Sequence, residues 1–279
     1  MKTGMSSPLP ASPALADYHT HTPLCHHAEG WPVDYAREAV ARGIAELGFA
    51  DHSPMPAALE PFDDWRMALA DLPRYFEAVG QARVAFPHLP IRLGLEVDYI
   101  AGHEGWIEEL ADMADWDFLL GSVHYIAPGW DVDNPAHISR FQTQPVEEIW
   151  RMYFDAYERC IRSGLFDFVG HPDLPKKFGH RPGGDLRRFY DPVIAALAET
   201  GTAYELNTAG LRKPVGECYP SFQFMQLARE AGVPLLINSD AHAPEEVGAG
   251  FEAALALVRA AGYTEVVRFE ERNRTVAAL

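Results

Sequence analysis

The segment DYHTHTPLCHHAEG, residues 17–30, places His19, His21, His26 and His27 within nine positions. Imidazole transfers protons near neutral pH, hydrogen-bonds at either ring nitrogen and ligates borderline metals. A single histidine closing a strand is more often a hydrogen-bonding residue than a ligand, so the decision rests on company. An HxH pair at His19/His21 is answered far along the chain by a DxH pair at Asp240/His242. His52, Glu96, His124 and His171 each close a further short apolar run. Mixed imidazole and carboxylate ligands suit Zn, Mn or Fe, whereas an oxygen-only set suits Mg or Ca. One ion takes three or four protein ligands. The sequence offers more than one ion can use, which points to a multinuclear site. Ions roughly 3.5–4 Å apart together activate water and screen phosphate oxygens. A carboxylate must bridge such ions, and Glu96, closing IRLGLE, is the natural bridge.

Such residues act together only if the chain gathers them. The runs ending in ALADYHTH, ELGFADHS, IRLGLEVDYI, DFLLGSVHYI, FDFVGHPD, TAYELNTAG and VPLLINSDAH read as strands, and most are followed by a segment of helical period. Helices are expected over VDYAREAVARG, with Asp34 as N-cap and Gly43 as stop, and over EEIWRMYFDAYERCIRSG, SFQFMQLAREAG and EEVGAGFEAALALVRAAG. A fifth, DLRRFYDPVIAALAETG, contains Pro192, which implies a kink or a late start. Seven alternating strand–helix units without a composition break predict an α/β chain folded as one closed barrel over residues 14–279, after a flexible tail over 1–13. In a parallel barrel the C-terminal strand ends meet on one face, and residues two apart on a strand point the same way. The candidate ligands then converge. The stretch Ala127–Pro145 is the longest loop-like insertion, either a lid over the site or a plain surface excursion.

Composition narrows the partners. At 279 residues, 48% hydrophobic and 23% charged, the chain can build a sizeable core. A net charge of −17 argues against nucleic acid and anionic membrane surfaces as partners. No apolar stretch reaches the roughly 18 residues of a transmembrane helix, and the N-terminus lacks the apolar core of a secretory signal. Cys25, Cys160 and Cys218 are odd in number and scattered, which supports neither a disulfide framework nor a thiolate zinc site and fits a cytoplasmic setting. The oligomeric state stays open.

The ordered segments DYHTHT, ADHS, GLEVDY, GSVHY, GHPDLPKKFG, ELNTAGLRKP and NSDAH resemble the PHP family, named for polymerase and histidinol phosphatase, over nearly the whole chain after residue 15. Within that family the likeness is to the monofunctional histidinol-phosphate phosphatases. HxH alone is weak, being shared with amidohydrolases, but the ordered set is specific. The resemblance implies a distorted (β/α)7 barrel, TIM-barrel-like, holding three divalent transition-metal ions (Zn, Mn or Fe). It implies one ion on His19, His21, Glu96 and Asp240, a second on Glu96, His124 and His171, and a third on His27, His52 and His242. The family's spacing puts a ligand eight residues after the first histidine of HxH, so it implies His27 and leaves His26 outside. Asp51 is a lesser site residue, orienting an imidazole or capping the turn that follows.

The implied activity is hydrolysis of a small phosphate monoester, L-histidinol phosphate, in histidine biosynthesis, with Glu96, Asp240 and His242 catalytic. Cationic side chains near strand ends are expected to hold the phosphate: Arg212 and Lys177 first, then Arg181 and Lys176, with His180 as a candidate acid. Glu217 or Asp98 is expected to receive the substrate's ammonium group. A PHP phosphoesterase acting on nucleotides or other small phosphate esters is the alternative. An amidohydrolase would need a bridging lysine where the third strand offers Glu96. A metal store would bind ions without turnover.

Overall fold

Seven of the apolar runs pair side by side, every neighbour parallel, in the order β1 to β7. These strands are β1 (Ala16–Asp17), β2 (Glu46–His52), β3 (Ile91–Asp98), β4 (Phe118–Ser122), β5 (Phe168–Val169), β6 (Ala203–Asn207) and β7 (Leu235–Asn238). A helix follows each: α1 (Pro32–Arg42), α2 (Leu72–Ala85), α3 (Glu104–Ala111), α4 (Val146–Arg162), α5 (Arg187–Thr200), α6 (Phe222–Glu230) and α7 (Phe251–Ala260). The computed structural model describes residues 14–59 and 65–279, so the expected tail over 1–13 lies outside the described residues.

The barrel is nearly closed. Its last seam, β7 to β1, is sewn beyond the strand ends, where His21 N–H donates to the Ala241 carbonyl (2.9 Å) and Ala241 N–H to that of His19 (3.1 Å). Below this, the Asp17 carboxylate accepts from Ser239 N–H (2.9 Å), Ser239 Oγ (2.6 Å) and Gly248 N–H (2.9 Å). Alternation along the strands separates two cores. Tyr18, Ala50, Phe118, Leu120, Phe168, Ala203 and Leu236 fill the lumen. Leu47, Phe49, Leu93, Leu95 and Val97 instead face the helices, in a larger cluster that includes Trp150, Tyr153 and Tyr190. The lumen has room for the Phe118 ring because β3 supplies Gly94, where any Cβ would overlap that ring.

Some local expectations shift. Asp34 does not occupy the N-cap of α1; Trp31 does, with Pro32 first in the helix, and Asp34 reaches back from the third position to accept from Trp31 N–H (3.0 Å). α5 does not start late: it begins at Arg187 and carries Pro192 inside it. The structure also adds an antiparallel hairpin, β8 (Glu265–Glu270) and β9 (Asn273–Ala278), whose Val267 and Phe269 plug the lower end of the barrel. No described helix is long and apolar enough to cross a membrane, and Cys25, Cys160 and Cys218 are all buried free thiols.

Candidate metal centre

At the opposite end, the strands that carry aliphatic and aromatic side chains inward lower down switch to polar ones. β2 delivers His52, β3 delivers Glu96 and Asp98, and β6 delivers Glu205 and Asn207. The segments after β1, β4, β5 and β7 deliver His19 and His21, His124, His171, and Asp240 with His242. His171 (φ 27°) and Asp240 (φ 52°) sit in the left-handed region. For non-glycine residues this costs roughly 1–3 kcal/mol each and is common where function dictates the backbone.

Glu96 is the hub. Its Oε1 lies 2.9 Å from His171 Nε2 and 3.7 Å from His124 Nε2, and it accepts from Ser122 Oγ at 2.6 Å. Its Oε2 lies 2.8 Å from His52 Nδ1, 3.4 Å from His19 Nε2 and 3.8 Å from His21 Nε2. Asp240 Oδ1 completes the near side, 3.2 Å from His21 Nε2 and 3.7 Å from His19 Nε2. Four triples among the described residues have ligand atoms within 4.8 Å of one another: His21/Cys25/Asp51, His19/His21/Glu96, His52/Glu96/His124 and His21/His52/His242. In the last, His21 stands closer than the expected His27. The His27 ring, well exposed, stands 4.6 Å from His242 and 5.2 Å from His52 between centroids. His26 is exposed and does not line the cavity.

A row of oxygens behind the histidines sets their tautomers. Glu205 accepts from His19 Nδ1 (3.0 Å), Asp98 from His124 Nδ1 (2.9 Å), and Asp51 Oδ1 lies 3.4 Å from His21 Nδ1. The Cys25 carbonyl accepts from His27 Nδ1 (2.8 Å) and the Asp240 carbonyl from His242 Nδ1 (3.2 Å). With Nδ1 committed, each of these rings keeps Nε2 for the centre, the arrangement in which an outer oxygen orients a ligating imidazole. Glu205 does more: it also accepts from His171 N–H, Asn207 Nδ2 and Asn238 Nδ2, each at 2.8 Å. Asp51 also accepts from Thr22 N–H and Oγ1 and from His52 N–H.

Among the buried polar atoms that break the rule of hydrogen bonding, four converge on this centre. His19 Nε2, His21 Nε2, His52 Nδ1 and Glu96 Oε2 are fully buried and none has a hydrogen-bond partner. Converging lone pairs on imidazole and carboxylate without donors form a donor set for Zn, Mn or Fe, so these residues fit the ions. The electrostatics agree. Burial opposes charge on His19, yet Glu205, Asp240 and Glu96 hold its pKa well above the usual imidazole range. Burial likewise fails to lift Glu96 and Asp240, which the surrounding histidines hold well below the carboxylate range. Burial does prevail at His52 and His242, whose pKa values fall well below normal with help from His21.

Above the centre opens a cavity of about 380 Å³, lined by Glu96, Asp240 and His27, His52, His124, His171 and His242, with Trp65, Lys177 and Lys213 among its walls. Of the expected phosphate contacts only Lys177 lines it, paired to Asp133 at 2.8 Å. Arg212 is turned beneath the site: it donates to the Ser239 and Asp240 carbonyls (2.9 and 3.1 Å) and lies 3.0 Å from Glu246. Lys176 is wholly buried among Asp173, Glu217 and the Cys218 carbonyl. Arg181 pairs with Glu217 outside the cavity, and His180 stacks on Phe141 (4.7 Å). Linear closeness to a strand end could not show these competing partners.

Sequence reasoning passed over Glu205, Asp131 and Asp133, and it met Lys213 as a basic residue following ELNTAG but favoured Arg212 beside it. The first had a signal, since it stands two residues before Asn207 on the same inward face. Asp98, offered for the substrate's ammonium, instead holds His124 and Arg66 (3.1 Å).

The PHP domain model matches residues 17–209, more than half of the chain. Among curated proteins, "Probable histidinol-phosphatase" of Deinococcus radiodurans is 42% identical, covering 93% of this chain and 98% of the relative. Histidinol-phosphatase of Bacillus subtilis is 30% identical, with 86% and 97% covered. Among solved structures, histidinol phosphate phosphatase from Lactococcus lactis, complexed with Zn, L-histidinol and phosphate, superposes with a TM-score of 0.82 at 23% identity, covering 95% of this chain and 100% of that one.

Proposed function

The chain belongs to the PHP domain family, and from that premise we propose that it is a metal-dependent phosphomonoesterase acting on L-histidinol phosphate. One observation carries the reading: four buried ligand atoms on His19, His21, His52 and Glu96 lack partners beneath an open cavity with lysines in its wall. Two relatives named histidinol-phosphatase, at 42% and 30% identity, support the choice of substrate.

Three divalent ions are assigned, with Zn, Mn and Fe as the candidate metals. His19, His21, Glu96 and Asp240 would hold one, Glu96, His124 and His171 a second, and His27, His52 and His242 the third. When bound, the ions supply Lewis acidity, lowering the pKa of water and screening phosphate oxygens.

The protein's own groups do the rest. Glu96 turns one carboxylate oxygen toward His171 and the other toward His52, the geometry of a bridge. Glu205 and Asp98 keep His19 and His124 in the tautomers that aim Nε2 inward. Asp240, held ionised by the imidazoles around it, presents its carboxylate to the centre on the cavity side. His242, held neutral by burial, stays available as a ligand. Lys213, which makes no ion pair among the described residues, presents its ammonium group to the phosphate, and Lys177 lines the same cavity paired to Asp133. The buried free thiols fit a cytoplasmic setting.

Phosphate release is measured with L-histidinol phosphate against a panel of 5′-nucleotides. The reading expects a large preference for the amino-alcohol ester. Equal or greater turnover of nucleotides would replace it with the broader phosphoesterase reading, against which the −17 net charge already weighs.

A further inference from the structure

Resting on the phosphatase reading, we propose that Asp131 and Asp133, carried by the insert between β4 and α4, form the subsite for a cationic group on the substrate and so set a preference for phosphate esters of amino alcohols. The insert is an ordered wall. A short hairpin, Tyr125–Ala127 with Trp130–Asp131, leads to a 3-10 turn at Pro135–His137, and Val132 N–H donates to the carbonyl of His124 (2.8 Å). That bond ties the insert to a candidate ligand, and Asp131, Asp133, Asn134 and Pro135 together face the cavity.

The carboxylates that the sequence offered for this task are consumed elsewhere. Glu217 pairs with Lys176 and Arg181, Asp98 with His124 and Arg66, and neither lines the cavity. Asp131 differs. It is 2% exposed, and its Oδ2 accepts from Asn134 Nδ2 (2.8 Å). Its Oδ1 is buried without a hydrogen-bond partner; His137 Nδ1 stands 2.6 Å away but is not aligned to donate. A buried carboxylate oxygen without a donor is costly, and an arriving cation removes that cost.

Asp133 sits two residues on, its Oδ2 2.8 Å from Lys177 Nζ. Burial would raise its pKa, but Lys177, with His124 and His171 adding, holds it at about 2, so it is charged at any working pH. One lysine against two carboxylates leaves the insert wall net negative, while Lys213 and the centre attract the phosphate. The cavity is thus bipolar, which selects an ester carrying an ammonium or imidazolium away from its phosphate.

The test compares 3-aminopropyl phosphate with n-butyl phosphate, an isosteric pair differing in one charge, in wild type, Asp131→Asn and Asp133→Asn at matched metal content. Wild type should favour the amine ester, and Asp131→Asn should shrink the kcat/KM ratio by about 10–100-fold. Calorimetric titration with L-histidinol, which carries the cations but no phosphate, should weaken in parallel for both variants, and Asp133→Asn decides the matter if Asp131→Asn does not fold. No amine preference in wild type, or an unchanged ratio and unchanged histidinol binding in the variants, overturns the subsite and leaves the phosphatase reading standing. Absence of turnover on every ester, with histidinol still bound through Asp131, overturns the phosphatase reading instead.

Discussion

Glu96 carries more of the account than any other side chain, because its two oxygens face two groups of histidines. Glu96→Gln should abolish turnover and cost at least one ion, read by elemental analysis beside a phosphate-release assay; retention of both would remove its bridging role. Glu205→Gln is a subtler test. The amide keeps the shape but presents an NH2 to donors that expect an acceptor, so His19 loses its orienting partner. Metal affinity should fall by roughly 10–100-fold, and wild-type affinity in that variant would reduce Glu205 to a packing residue. His26→Ala should keep near-normal metal content. The residues most legible in the sequence were those with paired spacing, the HxH and DxH ends. The phosphate-binding set was least legible. Arg212 lies near Glu246 and the Asp240 carbonyl, a partnership made by α7's approach and invisible from ELNTAGLRKP.

At the scale of elements, the seven strands were legible because each is a short apolar run stopped by a polar cluster. The hairpin β8–β9 was not, and its turn shows why. Glu271 (φ 48°) and Arg272 (φ 62°) take left-handed positions that asparagine and glycine normally advertise. The insert over Ala127–Pro145 was ambiguous between lid and excursion; its four cavity-lining residues make it a wall of the site and not a plain surface excursion. The narrowness of the lumen makes a separate prediction. Gly94→Ala drives a methyl into the Phe118 ring and should destabilise by about 1–3 kcal/mol. Phe118→Leu alone should also destabilise, but combined with Gly94→Ala it should recover part of the loss in a denaturant double-mutant cycle. Strict additivity would show that the two side chains do not compete for space.

At the scale of the whole molecule, a chain of net charge −17 folds so that its buried acids and imidazoles meet at one rim. Ion-free protein should therefore titrate in two opposite senses. Burial opposes protonation of His19 and His21, but their carboxylate neighbours outweigh it, so their folded pKa values lie well above the ordinary 6.5. Stability from these two is full below the ordinary value and lost as pH rises through the raised ones. Glu96 and Asp240 contribute above the ordinary carboxylate range and lose that contribution as pH falls through their lowered values. Ions must displace the imidazole protons, so metal uptake near neutral pH releases protons and affinity climbs with pH. Calorimetry in two buffers of different ionisation enthalpy should register that release, and chelation should lower Tm more at about pH 8 than at about pH 6. A pH-independent effect would contradict the proton–metal competition.

The most direct test strips the protein with a chelator and restores Zn, Mn or Fe stepwise, following phosphate release from L-histidinol phosphate against metal bound per chain. Activity should be absent in the stripped protein and rise to a plateau near three equivalents. Full activity in metal-free protein, or a plateau reached with no bound ion, would contradict the account.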